Sequence, residues 1–429
     1  MNKMIVIYTP VITSRIRYVM KVIIEDLLQK DFSLTDVLSD FEKYEGVKFA
    51  YANGQDILGL RFGSSGLLQQ VDIRPQALDA VAWEGFSLFF PVADSELPFD
   101  PFSLSFYLIT RYEEYLPSVR DAHGRFDIKN SIAYRNGFYR KPLVNIIANE
   151  IGRIIHRRFP DFSWEKRSCS FLLTYDVDIA YQYRGKTFFR FCASLLKSIL
   201  KGDYEKASCL IRTVQGKPVY DKFDTFELHR LANENSPLKP IHFILTSPFG
   251  KYDRNINPKG PVFHALIRKI SEFSEIGLHP SYHASQRPAL ILKQKRELEK
   301  ISGHTITKSR QHFLRFDFPD TFNHLVHCGI TDDYSLGWTD NVGFRASIAT
   351  PFPFYDLRED KEKPLVFHPL AVMDSALDRV AETHLQKREI LRLLKEEVVQ
   401  NGGELILLFH NSYTTDERQG DLQEGLTGD

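Results

Sequence analysis

The run Ser170-Phe-Leu-Leu-Thr-Tyr-Asp176-Val-Asp178 ends an apolar stretch in two carboxylates one residue apart. Strand side chains at i and i+2 share a face, so Asp176 and Asp178 leave the strand terminus together. Two adjacent carboxylates resist ionising together unless a cation or a guanidinium relieves them, and a metal is the natural partner. Donors for one stand downstream. His279-Pro-Ser-Tyr-His283 follows a strand-like segment. Pro280 disfavours helical geometry at His279 and suits the first position of a turn of helix, so His283 returns one turn later near the same side. Two neutral imidazoles and one carboxylate make a three-ligand set with an open position for water, as in catalytic zinc sites. Further on, Ser309-Arg310-Gln311-His312 supplies a guanidinium able to fix a carboxylate. Leu405-Ile-Leu-Leu-Phe409-His410 sets an imidazole at a buried strand end, a general-acid position. Singly, each has an ordinary reading as a loop histidine, a surface ion pair or a core histidine; their order along one chain is more specific.

These groups must be held by elements that the hydrophobic pattern outlines. A chain of 429 residues exceeds one average core, so two domains are expected. Zero net charge, from 55 basic and 55 acidic residues, argues against a nucleic-acid binder. Cys169, Cys192, Cys209 and Cys328 show no Cys-x-x-Cys spacing, which fits a reducing compartment. The apolar segment 4–8 is too short for a signal core and no stretch of about 18 apolar residues occurs; a cytoplasmic location is the expectation. Residues 1–165 read as an N-terminal α/β domain: a strand at 4–8, a helix at 14–29 capped by Ser14, strands at 46–52 and 57–62, and helices at 101–115 and 142–158. Its charged clusters 111–115 and 121–125 read as interdomain or surface ion pairs. Pro and charge without periodicity at 159–167 mark the boundary. Residues 166–413 then alternate strands (241–246, 275–278, 305–316, 364–369, 404–409) with helices (289–301, 381–400), which argues for a parallel sheet or barrel with ligands beyond the carboxyl ends of its strands. A helical insertion occupies 184–238, and 414–429 form a polar tail.

Taken in order, the motifs between about 168 and 413 resemble the polysaccharide deacetylase family of NodB type, carbohydrate esterase family 4. The resemblance implies a distorted (β/α)7 barrel preceded by the smaller α/β domain, which looks like an uncharacterised domain preceding such deacetylases in some bacterial proteins. It also implies roles. Thr174-Tyr-Asp176-Val-Asp178 matches the family's first motif with one residue between the carboxylates, making Asp176 the base and Asp178 a metal ligand. His279 and His283 fall on the family's two ligand histidines, Arg310 on the arginine that holds the base, and His410 on the terminal acid. Zinc is the implied metal, and the implied substrate is an N-acetylated oligosaccharide or glycan precursor. Pro280 stands where the family has Ser or Thr, and His312 where it has Pro; His283 stays the expected third ligand, with His312 as the alternative to it. The fourth motif has two nearest candidates, Trp338-Thr-Asp340 and Gly343-Phe344-Arg345.

The implied reaction is metal-assisted removal of an N-acetyl group, with Leu405, Leu407 or Phe409 walling the acetyl methyl. Two other readings compete. The altered motifs allow a degenerate deacetylase fold that binds glycans or assembles with other proteins. A haloacid-dehalogenase-type phosphatase also begins on Asp-x-Asp and would need Ser247 and Asp332-Asp333, leaving the histidines idle. Residues 184–201 interleave Phe, Leu and Ile with Arg and Lys; contact with a membrane surface is one reading, and packing on the barrel with a solvated basic face is the favoured one. Oligomeric state is not legible.

Overall fold

A computed structural model describes residues 4–54, 59–234 and 236–413; the polar tail 414–429 lies outside the described residues. The apolar segment β1 (Ile5–Tyr8) is fully buried and sits between β2 (Phe32–Thr35) and β3 (Lys48–Tyr51), with β4 (Arg61–Phe62) beyond, all parallel. The helix after β1 is capped by Thr13, whose side chain accepts from the Ile16 N–H, and not by Ser14; it runs as α-helix over Ser14–Met20 and as wider π-type turns over Lys21–Leu27. A hairpin pairs β5 (Ala80–Trp83) with β6 (Phe86–Phe89). Asp100 caps helix Pro101–Ile109, which stops short of the expected 115 because Arg111 takes a left-handed backbone (φ 52°). Helix Leu143–Arg158 closes this part of the chain.

The second sheet has nine strands. In chain order they are β7 (Cys169–Val177), β8 (Ile241–Leu245), β9 (Glu275–His279), β10 (Lys308–Ser309), β11 (Asp332–Asp333), β12 (Phe352–Asp356), β13 (Lys361–Phe367), β14 (Leu370–Met373) and β15 (Gly403–His410). Their order across the sheet is β12-β13-β11-β10-β9-β8-β7-β15-β14, parallel throughout except for β12 against β13. The expected strand at 305–316 shrinks to β10, because the chain leaves the sheet for the turn His312–Leu314, where Phe313 and Leu314 take positive φ. The last long helix is His384–Asn401, opened by a Thr383/Gln386 capping box and separate from a short helix, Asp374–Val380.

The sheet is strongly curled. Strands lie about 4.8 Å apart, so β10 and β7, three places apart, would stand about 14 Å from each other if it were flat. Yet Arg310, one residue past β10, reaches Asp176 of β7 at 3.1 Å. One apolar cluster runs without a break from Ile5 to Phe367, joining both sheets. A buried ion network crosses the same seam: Arg111 donates to Glu113 (2.8 Å) and Glu114 (2.7 Å), and Arg345 donates to Glu114 at 2.6 and 2.9 Å. The 111–115 cluster therefore ties the N-terminal part of the chain to the part that carries the second sheet, and Arg345 belongs to it.

Between β7 and β8 lie helices Phe188–Leu200, Tyr204–Val214 and Phe226–Ala232. The favoured expectation, apolar packing on the barrel, is overturned for the first of them: Ser198 is its only buried residue, and Phe188 and Phe189 are 75% and 83% exposed.

Candidate active site and metal centre

The site is built on the carboxyl ends of the parallel strands, where side chains of several strands converge on one rim. Register sets Asp176 of β7 between His410 of β15 and Phe243 of β8. Asp176 is 2% exposed and accepts from the Arg310 Nη1–H at 3.1 Å. Arg310 is itself buried, donates through Nε to the Tyr334 carbonyl (3.0 Å), and lies with its guanidinium carbon 4.4 Å from the centre of the Phe243 ring. That ring lies flat against β9 because residue 277 is glycine; a Cβ there would fall 2.5 Å from Phe243 ring carbons. Gly277, Phe243 and Arg310 thus orient Asp176 in series.

Asp178 faces three imidazoles. Its Oδ1 is 3.1 Å from His279 Nε2 and 3.5 Å from His312 Nε2, and its Oδ2 is 3.7 Å from His410 Nε2. The first two rings are locked from behind. His279 Nδ1–H donates to the Arg310 carbonyl (2.6 Å), and a carbonyl only accepts, so Nε2 presents a lone pair to Asp178. His312 Nδ1–H donates to Asp253 (2.9 Å) with the same consequence. Two lone pairs and a carboxylate oxygen therefore point at one another, and Asp178 Oδ1 is buried with no hydrogen-bond donor. Acceptors crowded in this way need a cation among them. The ligand atoms of Asp178, His279 and His312 lie within 4.8 Å of one another, and ring nitrogens oriented by second hydrogen bonds are the usual preparation for metal ligation. The residues fit a divalent ion. The same crowding shows in the titrations. Burial would raise the Asp178 pKa, but His312 and His279 hold it well below the carboxylate range. Burial would lower His312, but Asp178 and Asp253 push it up to about 9, so a proton and a metal ion compete for the same Nε2 lone pair.

His283 is not brought to this cluster. The Ser281 N–H donates to Gln294 and the Tyr282 N–H to Asp253, both at 3.0 Å, which turns those two residues inward and leaves His283 exposed at the start of the turn Ala284–Gln286. The alternative, His312, faces Asp178 in place of the expected His283, carried inward by the kinked turn after β10.

His410 completes the opposite wall. Its Nδ1–H faces both Asp374 oxygens (2.9 and 3.1 Å), and its backbone N–H donates to Asp374 Oδ2 (2.6 Å). Burial would lower the His410 pKa; Asp374 outweighs it, with Asp178 and Asp176 adding, and the pKa rises to about 10. The ring is therefore cationic at neutral pH, with Nε2–H turned into the site. Sequence reasoning missed Asp374 and Asp253. Asp374 had a signal: like Asp176 and Asp178, it comes after an apolar run, Leu370–Met373, off the end of a strand. Asp253 lies in the loop after β8 and had none.

A cavity of about 200 Å³ joins Asp176, Asp178, His279, His312 and His410. Its apolar wall is Leu408, Met373, Leu314 and Phe313, not Leu405, Leu407 or Phe409, because strand alternation puts Leu408 on the face of His410 and the odd-numbered residues of that strand on the other. Thr339 also lines it, whereas Asp340 is exposed and Arg345 is held by Glu114. From the N-terminal part, Arg125 enters the wall, held by Asp121 (2.7 Å) and the Phe313 carbonyl (2.9 Å). Ser247, Asp332 and Asp333 do not line it; Asp333 is buried against Ser309 and Ser335, so the phosphatase constellation is not assembled.

Residues 5–160 match a family described as a family of unknown function (DUF7033). No curated protein matches the chain. Among solved structures, a protein of Mycobacterium smegmatis assigned as a polysaccharide deacetylase is 16% identical, with 62% of this chain and 86% of that one covered and a TM-score of 0.39. One of Pseudomonas aeruginosa PAO1 with the same assignment is 14% identical, covering 61% and 84%, at 0.36. A family 4 acetyl xylan esterase of Clostridium thermocellum, in complex with cobalt, is 15% identical, covering 60% and 82%, at 0.26. Likenesses of this depth leave the chemistry of the present chain to be argued from its own cluster.

Proposed function

We propose that this chain is a metal-dependent hydrolase that removes N-acetyl groups from an amino-sugar glycan or glycan precursor. The observation that carries the reading is the pair of imidazoles His279 and His312, each locked through Nδ1 so that Nε2 faces Asp178, beside an Arg310-held Asp176 and opposite an Asp374-held His410. Asp178, His279 and His312 would hold the ion, with zinc favoured by the nitrogen and oxygen donors. When bound, it supplies Lewis acidity and lowers the pKa of water. Asp176, fixed by Arg310, accepts the proton of the attacking water. His410 donates its Nε2 proton to the departing amine as the C–N bond breaks, and Asp374 keeps the ring charged and aimed. Leu408, Met373 and Leu314 offer the acetyl methyl an apolar wall. The sugar acetamide as substrate comes from the family that the motifs resemble, and the curled sheet is read as its distorted (β/α)7 barrel.

The test is acetate release from N-acetylated oligosaccharides, free and lipid-linked, with metal content measured on the same preparation. Turnover that depends on metal and is lost in Asp176→Asn is the expected result. Stoichiometric metal with no acetate from any such substrate would favour the glycan-binding alternative.

A further inference from the structure

The insertion between β7 and β8 presents a surface that its own fold leaves bare. Nine of the twenty large apolar side chains exposed among the described residues fall between 188 and 220, far denser than the scatter normal on a soluble surface. Helix Phe188–Leu200 is mounted inside out. At 100° per residue, Phe188, Phe189, Leu196, Ile199 and Leu200 share one face and are 48–83% exposed. The opposite edge meets the body of the protein: the Arg190 Nη1–H donates to the Asn255 carbonyl (2.8 Å), and its guanidinium lies 3.9 Å from the Phe249 ring.

Charge says what covers this face. Residues 184–217 hold eight basic and two acidic residues, a net +6 within a chain whose total is zero. Lys197 borders one edge of the apolar face, and Lys201 follows one turn on, nearer the edge of Arg190; both are exposed. The core of a protein interface is depleted of lysine. Aromatic and aliphatic side chains bordered by lysine suit the headgroup layer of an anionic bilayer, where lysine stems reach up to lipid phosphates. The hairpin is also tied to the site through one loop. The loop after β8 that receives Arg190 through Asn255 carries Asp253, the partner of His312, and Asn255 itself binds the Val177 carbonyl at the end of β7.

We propose that the helical hairpin Phe188–Val214 docks this protein on an anionic membrane surface, with Phe188, Phe189, Leu196 and Leu200 in the acyl boundary and Lys197 and Lys201 at lipid phosphates. The docking is independent of the hydrolysis proposed above, because vesicle binding is read without turnover. Full-length protein is sedimented with phosphatidylcholine vesicles, with and without about one third phosphatidylglycerol, at low and high salt. Wild type binds the anionic vesicles about tenfold more tightly than the neutral ones and loses that preference in high salt. The triple variant Phe188→Ser, Leu196→Ser, Leu200→Ser loses about tenfold in binding, and Lys197→Glu with Lys201→Glu abolishes the lipid preference, each at an unchanged Tm. Wild type that stays in the supernatant, or a triple variant that binds equally well, overturns the proposal. A dimer in solution that the triple variant dissolves, with no vesicle binding, would assign the face to a second copy of the chain instead.

Discussion

Replacing Asp374 by Asn isolates the charge that prepares His410 as an acid. The carboxylate oxygens lie 2.9 and 3.1 Å from His410 Nδ1, which puts the charge centres about 4 Å apart. At an effective dielectric of about 20 the attraction is about 4 kcal/mol, or about 3 pKa units. An ion at Asp178 would cancel that residue's contribution to His410 and leave the Asp374 contribution in place. Asn keeps a neutral oxygen acceptor for the Nδ1–H, and the His410 pKa falls by about 3 units. The acid form is then lost in the neutral range. The assay is the pH profile of kcat on an N-acetylated substrate: the alkaline limb moves down by about 3 units, and the rate at the acidic plateau stays within about tenfold of wild type. An alkaline limb that does not move would refute the assignment of His410 as an acid charged by Asp374. The same shift bears on stability. A histidine whose folded pKa is raised stabilises the fold fully below its unfolded value near 6.5 and loses that contribution as pH climbs through about 10.

Metal content separates the two candidate third ligands: His312→Ala empties the site, His283→Ala leaves it filled, and Asp253→Asn weakens affinity about 10- to 100-fold by freeing the His312 ring; equal metal in all three would sink the ligand set. Gly277→Ala pushes Phe243 from beneath Arg310, and is expected to cost about 1–3 kcal/mol in denaturant unfolding and to lower kcat more than it raises KM. Arg345→Ala strips Glu114 of its bidentate partner inside the seam, a loss of about 3 kcal/mol measurable by urea unfolding, with metal content unchanged. Burial would raise Glu114, but Arg345 and Arg111 hold it down at about 2. Its contribution is therefore present above the unfolded carboxyl value near 4.5 and disappears as pH falls toward 2, which a thermal melt series in acid would show.

The chain itself determined the strand ends. Asp176, Asp178, His279 and His410 each terminate an apolar run, and burial of that run leaves its terminal polar residues on the rim of the sheet, so residue type and position alone locate them. The helix at 384–401 is an equally local matter. The tertiary structure decided the partners brought from far along the chain. His312 replaces His283 because hydrogen bonds from Ser281 and Tyr282 to Gln294 and Asp253, 13 and 29 residues away, set which way a five-residue loop turns. Asp374 meets His410 only because β14 and β15 are neighbours in the sheet. Arg125 enters the cavity because a shared core and a buried ion network press the N-terminal part onto the sheet. The bare face of helix Phe188–Leu200 has the same origin. Its amphipathic period is written in the sequence, but which side meets the protein depends on where Arg190 finds its acceptor, and no periodicity encodes that.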